Sequence, residues 1–144
     1  MGLIEIASGK SVWRGMDYYE SHKVISWNKS GDSAYEGVVS GSHGENYNVY
    51  VDKLHPKKSV CNCAFAAGRR VVCKHMIALY FTAEPEAAES FKRAVEEWEL
   101  EEEKRIEQHY KDLRKYVNSL SKAELRERLY DALVELEERR NRYW

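Results

Sequence analysis

All three cysteines of this chain stand in one stretch, "SVCNCAFAAGRRVVCKHMIALYF", residues 59–81, and a histidine follows two positions after the last of them. Cys61, Cys63, Cys73 and His75 spell C-x-C-x9-C-x-H. A tetrahedral zinc ion takes four nitrogen or sulfur ligands at about 2.0 to 2.3 Å, and three cysteines with one histidine form a closed structural set. The spacing supplies that set from two short arms. In extended backbone, residues two apart face the same side, so Cys61 and Cys63 point to one place across Asn62. The nine residues that follow, Gly68 among them, let the chain loop back and deliver Cys73 and His75 from the other side. His55, in "HPKKSVCNC", is the rival fourth ligand; His75 is preferred because C-x-H mirrors C-x-C. A redox role fits less well, since no C-x-x-C occurs and nothing resembles a thioredoxin-like βαβ unit. One structural zinc is the expected cofactor.

Three cysteines cannot all pair within one chain, and the compartment this sequence implies disfavours disulfides. There is no apolar run of membrane-spanning length, and "MGLIEIASGKSVWRG" lacks the basic and apolar regions of a secretory signal, so an intracellular protein without a membrane partner is expected. With 144 residues the chain is long enough for one domain with a real core, or a small domain plus a helical extension. Four Trp and ten Tyr within 43% hydrophobic residues argue against disorder, while 33% charged residues and only two prolines suggest much solvated helix.

The periodicities divide the chain into α, β-meander, metal motif and helices. Val12, Trp13, Met16 and Tyr19 recur at helical spacing in "SVWRGMDYYESH", with Ser11 as N-cap and Gly15 permitting close packing. "KVISW", "AYEGVVSGS" and "YNVYVDKL" read as strands joined by the turns "NKSGDS" and "HGEN". Tyr47, Val49 and Val51 alternate with Asn48, Tyr50 and Asp52, which predicts one buried face. "KKSVCNC" suits a further short strand and "CKHMIALYF" a buried helical turn or two. Glu84-Pro85 then opens a helical tract, because proline fits the first helical position. Phe91, Val95, Trp98, Ile106, Tyr110, Leu113 and Val117 mark its stripe, which "ELEEEKR" leaves nearly bare, predicting a solvated middle or a break. Ser121 and Glu124 form a capping box that starts a last helix with Leu125, Leu129, Leu133 and Leu136 on one side. The expected architecture is α+β: a short N-terminal helix, an antiparallel β-meander capped by a zinc site, then a C-terminal helical hairpin. The expected division is 1–83 for the zinc-binding part and 84–144 for an acidic helical region, with helices at about 85–118 and 121–142.

"CNCAFAAGRRVVCKHMIA" resembles the SWIM zinc finger, whose pattern is C-x-C-x(n)-C-x-H. "RGMDYYESHKV" followed by "GVVSGSHGENYNVYV" is similar to the helix and hairpin that approach the motif in prokaryotic SWIM proteins, so the resemblance covers about residues 13–81. Ala78 suits the longer C-x-H-x-x-A form of the motif. Ala64 departs from the pattern, since many members have Pro after the second Cys, and the acidic tail carries no diagnostic family motif. The resemblance implies a zinc-stabilised interaction module for nucleic acid or protein, without intrinsic catalysis.

Charge is unevenly spread. Residues 1–83 hold ten Lys/Arg against seven Asp/Glu, and residues 84–144 hold thirteen against seventeen. No acidic residue lies between positions 52 and 84, whereas Lys53, Lys57, Lys58, Arg69, Arg70 and Lys74 do. Three thiolates and one divalent zinc leave a single negative charge, so these cations exceed what the metal requires. Lys57, Lys58, Arg69, Arg70 and Lys74 are the expected phosphate contacts of a nucleic-acid partner, with the loop 64–72 positioned by zinc. The tail is too acidic to favour phosphate. Its apolar stripe needs burial, either with the two helices packed on each other or on the meander, or in a protein partner's groove or a self-associated bundle. The alternative function is an adaptor that docks through its helices or sheet edge on an ATPase, a recombinase-like protein or a ribonucleoprotein. No Walker loop, nucleophile elbow or dinucleotide fingerprint occurs, and four protein ligands leave no open metal position for a catalytic water, so neither an enzyme nor a small-molecule substrate is expected.

Overall fold

The computed structural model describes residues 2–143. A short helix that the apolar spacing does not announce, α1 (Leu3–Ile6), buries Leu3 in the core. The amphipathic helix α2 runs Gly9–Glu20 and starts earlier than expected, because the N-cap is Ser8 rather than Ser11. Ser8 Oγ accepts the backbone N–H of Ser11 at 3.2 Å, which places Ser11 in the first turn with its side chain buried. Val12, Gly15 and Met16 form the buried stripe. Trp13 stays half-exposed and meets Phe91 edge-on at 5.7 Å.

The meander is as the alternation predicts. Strands β1 (Val24–Lys29), β2 (Ala34–Ser40), β3 (Asn46–Asp52) and β4 (Val60–Cys61) pair antiparallel in the order β1-β2-β3-β4. Val39, Val49 and Val51 are buried on one face, whereas Glu36, Asn48 and Val60 are exposed. The chain from β3 to β4 is tied by Asp52, which accepts from Ser33 Oγ, Leu54 N–H and His55 N–H at 2.9 to 3.0 Å. Burial alone would raise the Asp52 carboxyl, but these donors together hold it below the usual carboxylate range.

Helix α3 (Lys74–Ala83) is apolar from Met76 to Leu79 and again at Phe81, and these residues are buried. It packs against α2 on one side and against β1, β2 and β3 on the other. Met76, Ile77, Leu79 and Phe81 are fully inaccessible. Each such side chain contributes about 1.5–3 kcal/mol of transfer free energy. Gly15 sets the spacing of α2 from α3: a Cβ there would lie 2.4 Å from Ile77 Cβ and 3.0 Å from the Lys74 carbonyl.

The chain forms two compact units, Met1–Arg93 and Ala94–Trp144. The first turns of α4 (Pro85–Ser119) belong to the first unit, which therefore runs past residue 83. Ala88 is buried, Phe91 lies 5.9 Å from Phe81, and Lys92 pairs with Glu20 at 2.8 Å. Of the two expectations for its bare middle the structure has the solvated one: α4 is one continuous helix, close to the expected 85–118, and it has no break. Glu, Lys and Arg are good helix formers, and the pairs Glu102–Arg105 and Glu107–Lys111 support "ELEEEKR" and the turns after it. In the second unit α5 (Lys122–Arg142) follows, with the predicted capping box on Ser121 and Glu124. The stripes of these two long helices are not buried against each other: Trp98, Ile106, Tyr110, Leu113, Leu129, Leu133 and Leu136 all stay exposed. Among the described residues no helix is long and apolar enough to cross a membrane.

Candidate metal centre

Each of the four predicted ligands is set by a different local device. Cys61 ends β4 opposite Val49 of β3, so its side chain faces the core. Asn62 turns outward and its Oδ1 accepts the Asn48 N–H at 2.9 Å, which keeps Cys63 on the same inner side as Cys61. The carbonyl of Cys63 accepts N–H groups from Ala66 and Ala67, closing a turn, and Gly68 passes through φ +70° before the chain returns. Ala66 and Val72 anchor the loop in the core. Cys73 is the N-cap residue of α3, and His75 lies in its first turn.

The four donor atoms lie within 4.8 Å of one another, and all four residues are buried. His75 Nδ1 is 3.7 Å from Cys61 Sγ and 3.8 Å from Cys73 Sγ. A tetrahedron with bonds of about 2.3 Å to sulfur and about 2.0 to 2.1 Å to nitrogen has edges of roughly 3.6 to 3.8 Å. The two nitrogen–sulfur edges lie close to these values and the remaining donor pairs fall within 4.8 Å, so Cys61, Cys63, Cys73 and His75 are grouped as the donors of a single Cys₃His metal site. The rest of His75 agrees. Its ring lies 4.6 and 5.5 Å, centroid to centroid, from the rings of Tyr47 and Tyr18, its Nε2 is buried without a hydrogen-bond partner, and Nδ1 is the nitrogen that faces the sulfurs of Cys61 and Cys73.

The sulfurs are not disulfide-bonded. Cys73 is held down to about 4, first by the hydrogen bond it accepts from Cys61 and then, against burial, by His75. Cys61 is pushed up because it donates that bond and is buried. Cysteine binds metal as thiolate, and Cys73, at the head of α3, is the member of the pair shifted toward that form. The rival ligand His55 is engaged elsewhere: its Nδ1 lies 3.3 Å from Asp52 Oδ2, and its side chain is largely exposed.

A cavity of about 380 Å³ opens against the ligand set, with Cys63, Cys73 and His75 in its wall. Lys10 and Arg14 from α2 and Lys74 from α3 line it, and no carboxylate does. Lys10 and Arg14 lie four residues apart and so share one helix face. Lys74 Nζ is held 4.6 Å over the Tyr18 ring. Tyr47 and the half-exposed Phe65 complete the aromatic part of the lining.

The expected phosphate contacts are dispersed. Only Lys74 lines this cavity. Arg69 stacks 5.2 Å from the centroid of Phe65 and donates to the Phe65 carbonyl. Arg70 is exposed beside it. Lys57 and Lys58 belong to a 3₁₀ turn, Pro56–Lys58, and line a separate depression with Ile6, Leu54 and Pro56. Lys53 is neutralised by Glu84. Lys10 and Arg14 had a signal in the sequence, their four-residue spacing on a helix that bears Gly15, but lie far from the cysteines along the chain.

The chain matches no protein-family model, no curated protein and no solved structure.

Proposed function

We propose that this protein is a zinc-stabilised, non-catalytic module of the SWIM type that associates with nucleic acid through phosphate contacts. Cys61, Cys63, Cys73 and His75 would hold the ion, whose contribution is to cross-link β4, the loop 64–72 and the head of α3. All four coordination positions come from the chain, which suits a structural rather than a catalytic ion. The observation that carries the nucleic-acid reading is the cavity wall, where Lys10, Arg14 and Lys74 meet the ligand set with no carboxylate among them. One of these cations balances the charge of a zinc with three thiolates, and the surplus is available to phosphate. The zinc-loaded chain is titrated with labelled single-stranded DNA, duplex DNA and RNA at rising salt. Binding that weakens linearly in log salt is expected. No binding to any of the three at low salt overturns this reading.

A second reading, a protein-interaction module, is favoured by the exposed stripes of α4 and α5. The occupant that fits is a second copy of the chain. Residues 96–103 of α4 carry six Glu, and residues 104–115 carry five Lys/Arg against two acids, so antiparallel copies would set acidic halves against basic ones. Sedimentation of the full chain should give a dimer, and of 1–93 a monomer; a full-length monomer at tens of micromolar contradicts it.

A further inference from the structure

The cavity beside the metal ligands is larger than a phosphate group needs, and its lining combines two kinds of side chain. The cations are Lys10, Arg14 and Lys74. The aromatic residues include Phe65, which is 47% exposed in a loop held on both sides by the candidate metal ligands. A volume of about 380 Å³ falls within the range of small-ligand sites. Cations that share a cavity with an accessible aromatic ring match one unit of a nucleic-acid strand, which joins an anion to a flat base. The base of a duplex is already stacked and paired on both sides, so only an unpaired nucleotide can present its face to Phe65.

We propose that this cavity seats one nucleotide of a single strand, its phosphate held by Lys10, Arg14 and Lys74 and its base laid against Phe65. The assignment rests on the nucleic-acid reading above and narrows it in two ways. It selects single strands over duplexes, and it moves the contact from Lys57 and Lys58 to the face formed by α2 and α3. Arg69, stacked on Phe65, fixes the ring that receives the base. The bound phosphate adds charge balance to a wall where cations outnumber the single negative charge of the metal cluster.

The test uses the zinc-loaded full chain and fluorescence anisotropy with a labelled ten-nucleotide oligothymidine, the same strand annealed to its complement, and inorganic phosphate as competitor. Four variants are compared: Lys10→Ala with Arg14→Ala, Phe65→Ala, and, as the comparison surface, Lys57→Ala with Lys58→Ala and Arg70→Ala alone. Lys10, Arg14, Phe65, Lys57, Lys58 and Arg70 are all exposed, so circular dichroism and metal content should match the parent. The single strand is expected to bind at least tenfold tighter than the duplex. Phe65→Ala should weaken it by about five- to a hundredfold, the range for loss of one stacked base. Lys10→Ala with Arg14→Ala should weaken it at least tenfold and reduce the log–log salt slope by about 0.7, the contribution of one single-strand phosphate. The comparison variants should bind like the parent. If strand and duplex bind equally, or the Lys57/Lys58 variant loses binding while the cavity variants keep it, the nucleotide seat is wrong and the nucleic-acid reading survives. If phosphate binds in the cavity and neither nucleic acid does, both the seat and that reading fall.

Discussion

Gly15→Ala tests the joint on which the candidate site is built. α2 carries Lys10 and Arg14, α3 carries Cys73, Lys74 and His75 at its head, and the two helices touch where residue 15 has no side chain. An added Cβ would stand 2.4 Å from both Ile77 Cβ and Ile77 Cγ2, against an ordinary carbon contact of about 3.5–4.0 Å. Rotating Ile77 moves Cγ2 but not Cβ, so the helices themselves must part by about 1 Å or more. Ile77 is fully buried and α3 is backed by the sheet, so the parting opens the core. Overpacking of this kind costs about 1–3 kcal/mol, and a Cβ overlap that no rotamer relieves belongs at the upper end. Replacing glycine in a helix returns up to about 1 kcal/mol. The net loss is about 2 kcal/mol, or a fall in Tm of roughly 8–16 °C for a unit of this size. Urea and thermal unfolding of the metal-loaded chain, followed by circular dichroism, measure it. Gly9→Ala in the same helix is the control, because a Cβ there meets nothing within 4 Å. It should leave Tm unchanged or raise it. Equal Tm values for Gly15→Ala and the parent would refute the packing argument.

Replacing Cys61, Cys63 or Cys73 by Ser, or His75 by Ala, should abolish stoichiometric metal binding and loosen segment 61–75, read by proteolysis and amide exchange; His55→Ala should leave the metal content unchanged, since His55 faces Asp52. Gly68→Ala should cost about 1 kcal/mol in urea unfolding, because φ is +70° there and no neighbour would clash. Burial alone would raise the Glu84 carboxyl, but the hydrogen bonds it accepts from Lys53 and Tyr35, with the Lys53 charge, hold it below the usual carboxylate range. A lowered folded-state value gives stability that is complete above the unfolded value, about 4.3, and is lost as pH falls through the folded one. Glu84→Gln should therefore flatten the acid limb of the Tm–pH curve, and an unchanged limb would contradict the role assigned to this carboxylate.

Features governed by neighbouring residues were the ones legible in the sequence. Alternation in "YNVYV" gave β3 its buried face, the Ser121–Glu124 box marked the start of α5, and C-x-C put two sulfurs on one side because Asn62 turns out to bond β3. Ser8 and Ser11 compete for one cap, and only the extended backbone at Ser8 decides it. The bare middle of α4 left a solvated stretch or a break open because apolar periodicity is silent there, while helix propensity and ion pairs carry the helix through. Charge read along the chain put Lys53, Lys57, Lys58 and Lys74 together. Folding neutralises the first with Glu84, sends the next two to the 3₁₀ turn, and joins Lys74 to Lys10 and Arg14 from a helix distant in sequence. Long-range placement of this kind depends on the contact at Gly15, which spacing alone does not locate.

The central claim is that Cys61, Cys63, Cys73 and His75 close on one zinc ion and that this closure shapes the cavity wall. Native mass spectrometry of the full chain, purified without added metal, tests it most directly. The account predicts the mass of the chain plus one zinc, with the zinc lost in Cys73→Ser. A chain that is metal-free, keeps its thermal stability in the presence of a chelator and shows unchanged amide protection across residues 61–75 would contradict it.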